Sequence, residues 1–174
     1  DFDVLFEPSE STSFVSMSPT KNHFILNVME NVKNRLYVVT HSQNGWKREP
    51  LKGAPSFGTV SASGVDADES DDYFLTVTDY VTPTTLMMGS IGKSPEKLKQ
   101  LPAFFDAKDL KIEQFFATSK DGTKVPYFMV SNKGTKRDGK NPTLLYGYGG
   151  FEVSLTPSYS ATVGRAWLTQ GGVY

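Results

Sequence analysis

The sequence contains no cysteine, which excludes disulfides, thiol nucleophiles and thiolate metal ligands together and is compatible with any redox compartment. It also lacks any run approaching the ~18 apolar residues of a membrane-spanning helix. Its acidic start, DFDVLFEPSE, has neither the basic region nor the apolar stretch of a secretory signal. Neither sign of charge dominates: 18 basic and 19 acidic residues give a formal net charge of -1, so no long-range field gathers nucleic acid or anionic lipid. The one basic cluster, KGTKRDGK from Lys133 to Lys140, reads as a solvated loop. The expectation is a soluble protein, cytoplasmic or periplasmic, with no nucleic-acid or membrane partner.

What is present points to a folded, mainly β chain. Hydrophobic residues make up 38% and charged residues 21%, enough apolar surface for a packed core. FILNVME (24–30) and LYVVTHS (36–42) are β-rich runs separated by a polar turn, and Trp46 to Leu51 follows the turn signal Gln43-Asn44-Gly45. The order returns about 49 residues later as YFLTVTD (73–79), TLMMGSI (85–91) and LKQLP (98–102). Such a period fits propeller blades, and a sandwich equally well. Both ends look cut, with Phe2 to Phe6 reading as a strand already under way and Gly172-Val173-Tyr174 as the start of another. The acidic run from Asp66 to Asp72 invites a calcium reading, but it lacks the ordered carboxylates and glycine of a calcium loop and reads better as a solvated connection. The histidines, His23 and His41, read as strand or turn residues rather than bases.

After Pro102 the texture changes. Leu110 to Ser119 and Lys124 to Ser131 flank Asp121-Gly122, a hairpin signal. Thr143 to Tyr148 is almost wholly apolar and predicts a strand covered on both faces. Tyr159, Val163 and Trp167 lie four apart, predicting a helix that Gly171-Gly172 ends. Residues 110 to 174 thus read as the N-terminal part of an α/β domain. At the expected strand end, Tyr146-Gly147-Tyr148-Gly149-Gly150-Phe151 is a site candidate, because open α/β sheets bind ligands there. It has no third glycine of a dinucleotide loop and no Gly-Lys-Ser/Thr of a triphosphate loop. Two readings stay open on the residues alone: core aromatics packed with glycines, or a Tyr148 hydroxyl donating to charge on a substrate oxygen beside an apolar Phe151 wall.

SKDGTKVP (119–126) followed by YGYGGF (146–151), in that order and spacing, resembles the entrance to the catalytic domain of the prolyl oligopeptidase family, α/β-hydrolase serine peptidases capped by a seven-bladed β-propeller. The resemblance implies that residues 1–105 are the last blades of the propeller and that 106–174 begin the hydrolase domain, incomplete. It implies hydrolysis of short peptides after proline by an acyl-enzyme, without cofactor or metal. The second tyrosine of the motif falls on Tyr148, which in the family holds the tetrahedral oxyanion together with a backbone amide. The motif's phenylalanine falls on Phe151, which in the family lines the apolar pocket for the proline ring. Tyr146 carries an implied packing role only. The nucleophilic serine on its glycine elbow, the acid and the histidine cannot be placed in this chain, so these residues alone are expected to be inactive. They are expected to associate with the remainder of the same polypeptide or another copy. A β-propeller-like binding or regulatory module without catalytic activity is the alternative.

Overall fold

The structure is a computed structural model that describes residues 2–174. Two four-stranded antiparallel meanders come first. One comprises β1 (Thr12–Pro19), β2 (Phe24–Glu30), β3 (Lys33–Ser42) and β4 (Gly45–Pro50); the other comprises β5 (Thr59–Gly64), β6 (Asp72–Thr78), β7 (Thr85–Ser90) and β8 (Glu96–Gln100). The repeat read from the sequence is therefore real: β2 and β6, β3 and β7, β4 and β8 occupy equivalent places. Each meander also opens with a strand that the pattern did not mark, β1 or β5. No closed ring of sheets forms among the described residues.

The meanders pack through Ile25, Leu36, Leu51, Val60, Tyr73 and Leu75, all buried, each contributing roughly 1.5–3 kcal/mol of transfer free energy if fully buried. β2 is apolar almost throughout because both its faces are covered. Ile25 faces the second meander, while Leu26 and Val28 pack with Val39 beneath Leu5 and Phe6. Polar staples then fix how the sheets sit. The unpaired edge of β5 is satisfied by side chains: buried Asn27 donates to the Val60 carbonyl at 3.0 Å, and the Val60 amide donates to Asn34 Oδ1 at 3.3 Å. Asn34 in turn donates to Asn27 at 2.9 Å. An orphaned backbone group here would cost about 1–3 kcal/mol.

A second staple uses the acidic run. Asp71 accepts from Thr20 Oγ1 at 2.8 Å, from the Asn22 amide at 2.8 Å and from Asn22 Nδ2 at 2.7 Å. Asp66 caps its own turn through the amides of Asp68 and Glu69. His23, bonded to Thr40 at 2.7 Å, lies 4.0 Å from Asp71.

The remaining chain forms a hairpin, β9 (Leu110–Thr118) and β10 (Lys124–Asn132), turning at Asp121-Gly122 as expected. Val130 of β10 exchanges both backbone hydrogen bonds with Tyr174 at 2.7 and 2.9 Å. Val173 in turn pairs in parallel with Thr143. Between them lie the helix α1 (Ala161–Ala166), N-capped by Ser160, and a 3-10 turn over Leu168–Gln170 closed by Gly171 in the left-handed conformation. A parallel pair needs such a crossover. Gly164 is required by contact: a Cβ there would sit 1.9 Å from the Phe105 ring, which stacks on Tyr159 at 5.1 Å.

Two expectations are corrected. Phe2 to Phe6 is not a strand: Phe2 and Val4 are exposed, and Leu5 and Phe6 lie as an unpaired cover on the first meander. Thr143 to Tyr148 is not a buried strand either. Only Thr143 bridges, and Leu145 is 91% exposed, because beyond the Val173 contact this segment has no sheet neighbour among the described residues.

Burial opposes ionisation of Asp71, but the hydrogen bonds from Asn22 and Thr20, with His23 nearby, outweigh it and hold the carboxyl below its ordinary value. A depressed carboxylate stabilises the fold above the unfolded-state pKa and loses that contribution as pH falls through the folded one. Asp71→Ala should therefore cost about 2 kcal/mol at neutral pH and progressively less below about pH 4. Denaturant unfolding across pH measures this; an equal loss at neutral and strongly acid pH would contradict it.

Candidate functional site

Residues 144 to 158 leave the Thr143 bridge and run along a cleft of about 380 Å³. One wall is this segment itself, including Leu144, Tyr146 and Tyr148. The facing wall comes from four other places: Val32 at the β2–β3 turn, Tyr80 at the β6–β7 turn, Phe128 of β10, and Tyr174. Tyr148 is half-exposed, at 52%. Its hydroxyl lies beside Gly150, where a Cβ would stand 3.4 Å away.

Gly147 and Gly149 do not serve close packing, since a Cβ at either would meet nothing within 4 Å. The tight element comes one step later. Val153 donates its amide to the Gly150 carbonyl at 3.2 Å, and the two residues between, Phe151 and Glu152, both have φ 54. This is a reverse turn of the kind that glycine or asparagine usually supplies. It throws the Phe151 ring outward, 93% exposed, and Phe151 is not among the residues lining the cleft. The structure thus sets Tyr148 in the cleft and Phe151 outside it. The core-aromatic reading is corrected for both rings, which have no packed shell among the described residues.

No imidazole lines the cleft among the described residues. His23 is bonded to Thr40 and His41 lies 4.8 Å from the Trp46 ring, both on the first meander. Ser158 reaches the cleft without a base beside it. Nor does any group of three His, Cys, Asp or Glu side chains among the described residues have the arrangement to hold a metal ion. What this arrangement offers chemically is a phenol hydrogen-bond donor on a half-exposed residue of the cleft.

No family model matches the chain. Over 172 residues it is 43% identical to an uncharacterized peptidase, y4nA, of Sinorhizobium fredii, covering 98% of this chain and 23% of that protein. It is 35% identical over 173 residues to a prolyl endopeptidase of Elizabethkingia meningoseptica, covering 99% and 23%. The structure also matches that of a post-proline cleaving enzyme from Rickettsia typhi with a TM-score of 0.78 at 33% identity, across 98% of this chain and 25% of that one. The chain belongs to the prolyl oligopeptidase clan of serine peptidases. It spans roughly a quarter of the length of these relatives.

Within this segment, the cleft exists because the meanders are locked onto the hairpin half by aromatic contacts. Tyr80 projects from the second meander, its ring 5.7 Å from Phe128 and 6.0 Å from Tyr174. Phe57 meets Phe128 edge-on at 5.5 Å. Thr59 adds a hydrogen bond of 2.7 Å to the Pro157 carbonyl. These wall residues were not visible in the sequence, because a turn tyrosine and a turn valine carry no signal of what a distant strand will bring against them.

Burial, with Tyr174 adding to it, pushes the Tyr80 phenol up to about 12. A raised phenol pKa stabilises the fold below about pH 10, where the unfolded tyrosine begins to ionise, and that contribution is lost as pH rises through the folded value. Tyr80→Phe should keep neutral-pH stability while removing part of the loss between about pH 10 and pH 12. Tyr80→Ala, which removes the ring from its aromatic partners, should cost about 3 kcal/mol. Unfolding of both variants followed by circular dichroism checks this; an alanine variant as stable as wild type would contradict the locking role.

Proposed function

We propose that this chain is a section of a serine endopeptidase that cleaves short peptides after proline through an acyl-enzyme, with Tyr148 as an oxyanion donor. Residues 1–105 are read as the last blades of a seven-bladed propeller, and 106–174 as the start of the α/β-hydrolase domain. Two features of the fold support this division. The first is the repeated four-strand meander. The second is the order β9, β10, Tyr174, Thr143, which begins a mixed sheet whose parallel step is crossed by α1. The observation that carries the functional reading is the half-exposed Tyr148 side chain lining a cleft walled by both halves of the chain.

In the complete protein, a serine supplied by the rest of the polypeptide attacks the carbonyl carbon of the proline while a histidine takes the hydroxyl proton, and an acid orients that histidine. Negative charge then collects on the former carbonyl oxygen. A phenol is suited to meet it because it donates one hydrogen bond, remains neutral at working pH and brings no charge that must be desolvated in the ground state. Phe151, solvent-facing in this segment, is read as an apolar contact for the proline ring once the rest of the domain surrounds it. Short proline-containing peptides are the proposed substrates. The proposed association is with the remainder of the same polypeptide, or with another copy.

Tyr148→Phe in the complete protein should lower kcat on a proline reporter peptide by about 10²-fold or more. Thermal stability should stay unchanged, because the hydroxyl makes no bond that the fold needs. A kcat within about twofold of wild type would reject the role. Phe151→Ala should impair turnover of proline reporters without loss of stability, since the ring is exposed; parallel loss of both would instead give it a packing role.

A further inference from the structure

The β2–β3 hairpin turns at Asn31 and Val32, with φ of 48 and 64, between the paired residues Glu30 and Lys33. Two consecutive left-handed residues suit a two-residue hairpin turn, which ordinarily takes Asn-Gly. Asparagine in the first position is ordinary; valine in the second is not, because a β-branched side chain is strained there. Strain of this kind persists only where surrounding structure over-determines it. Here the tip is held from both sides: the Asn31 amide donates to the Ser11 carbonyl at 3.0 Å, and Gln114 Nε2 of β9 donates to the Asn31 carbonyl at 2.6 Å.

The strained tip delivers the Val32 side chain to a boundary. On one side is the aromatic cleft that contains Tyr148, about 380 Å³. On the other is a larger recess of about 740 Å³ with a polar lining that includes Glu10, Ser11, Thr12, Lys124 and Ser154. Val32 and Pro126 are the two residues that line both. Pro126 belongs to β10 and is fixed by its pairing with Phe116. Val32 belongs to the other half of the chain, so the partition is built across the seam.

We propose that Val32 is a specificity-determining residue: its isopropyl group separates the Tyr148 cleft from the polar recess and limits how far a peptide bound at Tyr148 extends, with Gln114 as the positioning residue that holds the tip. The proposal rests on the peptidase reading above. A short substrate fills the aromatic cleft alone and meets Val32 only as its end wall. A longer one, with polar backbone running on, reaches the recess only around Val32, and there Lys124, Ser11 and Ser154 can bond its carbonyls.

The test uses the complete protein and two fluorogenic peptides with the same proline at the cleaved bond, one preceded by a single residue and one by about six. Val32→Gly removes the wall and also relaxes the backbone strain. It should raise the ratio of kcat/KM for the long peptide to that for the short one at least about fivefold, and leave Tm equal or higher. Val32→Thr keeps the bulk and should retain the wild-type ratio of long to short. Gln114→Ala should shift the ratio in the direction of Val32→Gly, through KM rather than kcat. A ratio unchanged or lowered in Val32→Gly, or raised equally in Val32→Thr, overturns the partition while leaving the peptidase reading standing. A wild type that cleaves neither peptide overturns the peptidase reading and this proposal with it.

Discussion

The arrangement depends on one insertion: the Tyr80 ring, carried on the β6–β7 turn, lodged between Phe128 of the hairpin and Tyr174 at the crossover. A hairpin such as β9–β10 is marginal by itself in water. What makes it a platform is that its even-numbered face is closed by rings from the meander half, while Leu110 and Val130 pack with Leu168. That aromatic seam is apolar and edge-on rather than ionic, so it resists salt and neutral-range pH. The cleft around Tyr148 is a by-product of the same geometry: where the rings of the seam stop, an open space remains between the halves.

The polar staples complement this packing. β5 would otherwise present an unpaired strand edge inside the molecule, and Asn27 and Asn34 complete it with side-chain amides instead of a ninth ladder strand. Because those amides fit only one register, they turn a slippery apolar interface between two sheets into a specific one. Asp71 does similar service at the far end of the strands, tying the second meander to Thr20 and Asn22 of the first.

How much of this could be read in advance varied with the residues. The central strands of each meander were legible because FILNVME and YFLTVTD are dense in apolar and β-branched side chains. Strands β1 (TSFVSMSP) and β5 (TVSASG) were not: their serines and glycine have turn-like composition, and pairing with β2 and β6 recruits them into strands. The apolar run at 143–148 misled in the other direction. Its side chains have the pattern of a covered strand, yet a strand exists only where neighbours supply its hydrogen bonds, and only Thr143 finds one. The YGYGGF motif singled out Tyr148 and Phe151 as candidates. Their divergence, one ring into the cleft and one out of it, was not legible, because it follows from the left-handed turn at Phe151 and Glu152 that no propensity announces.

The central claim is that the Tyr148 phenol faces the space where an acyl intermediate would form. The most direct measurement is a high-resolution structure of the complete protein bound to a peptide aldehyde ending in proline, whose hemiacetal oxygen reports the oxyanion position. The account predicts the Tyr148 hydroxyl within about 3.1 Å of that oxygen. A hemiacetal formed with that oxygen held by other donors, and the phenol remote from it, would contradict the account.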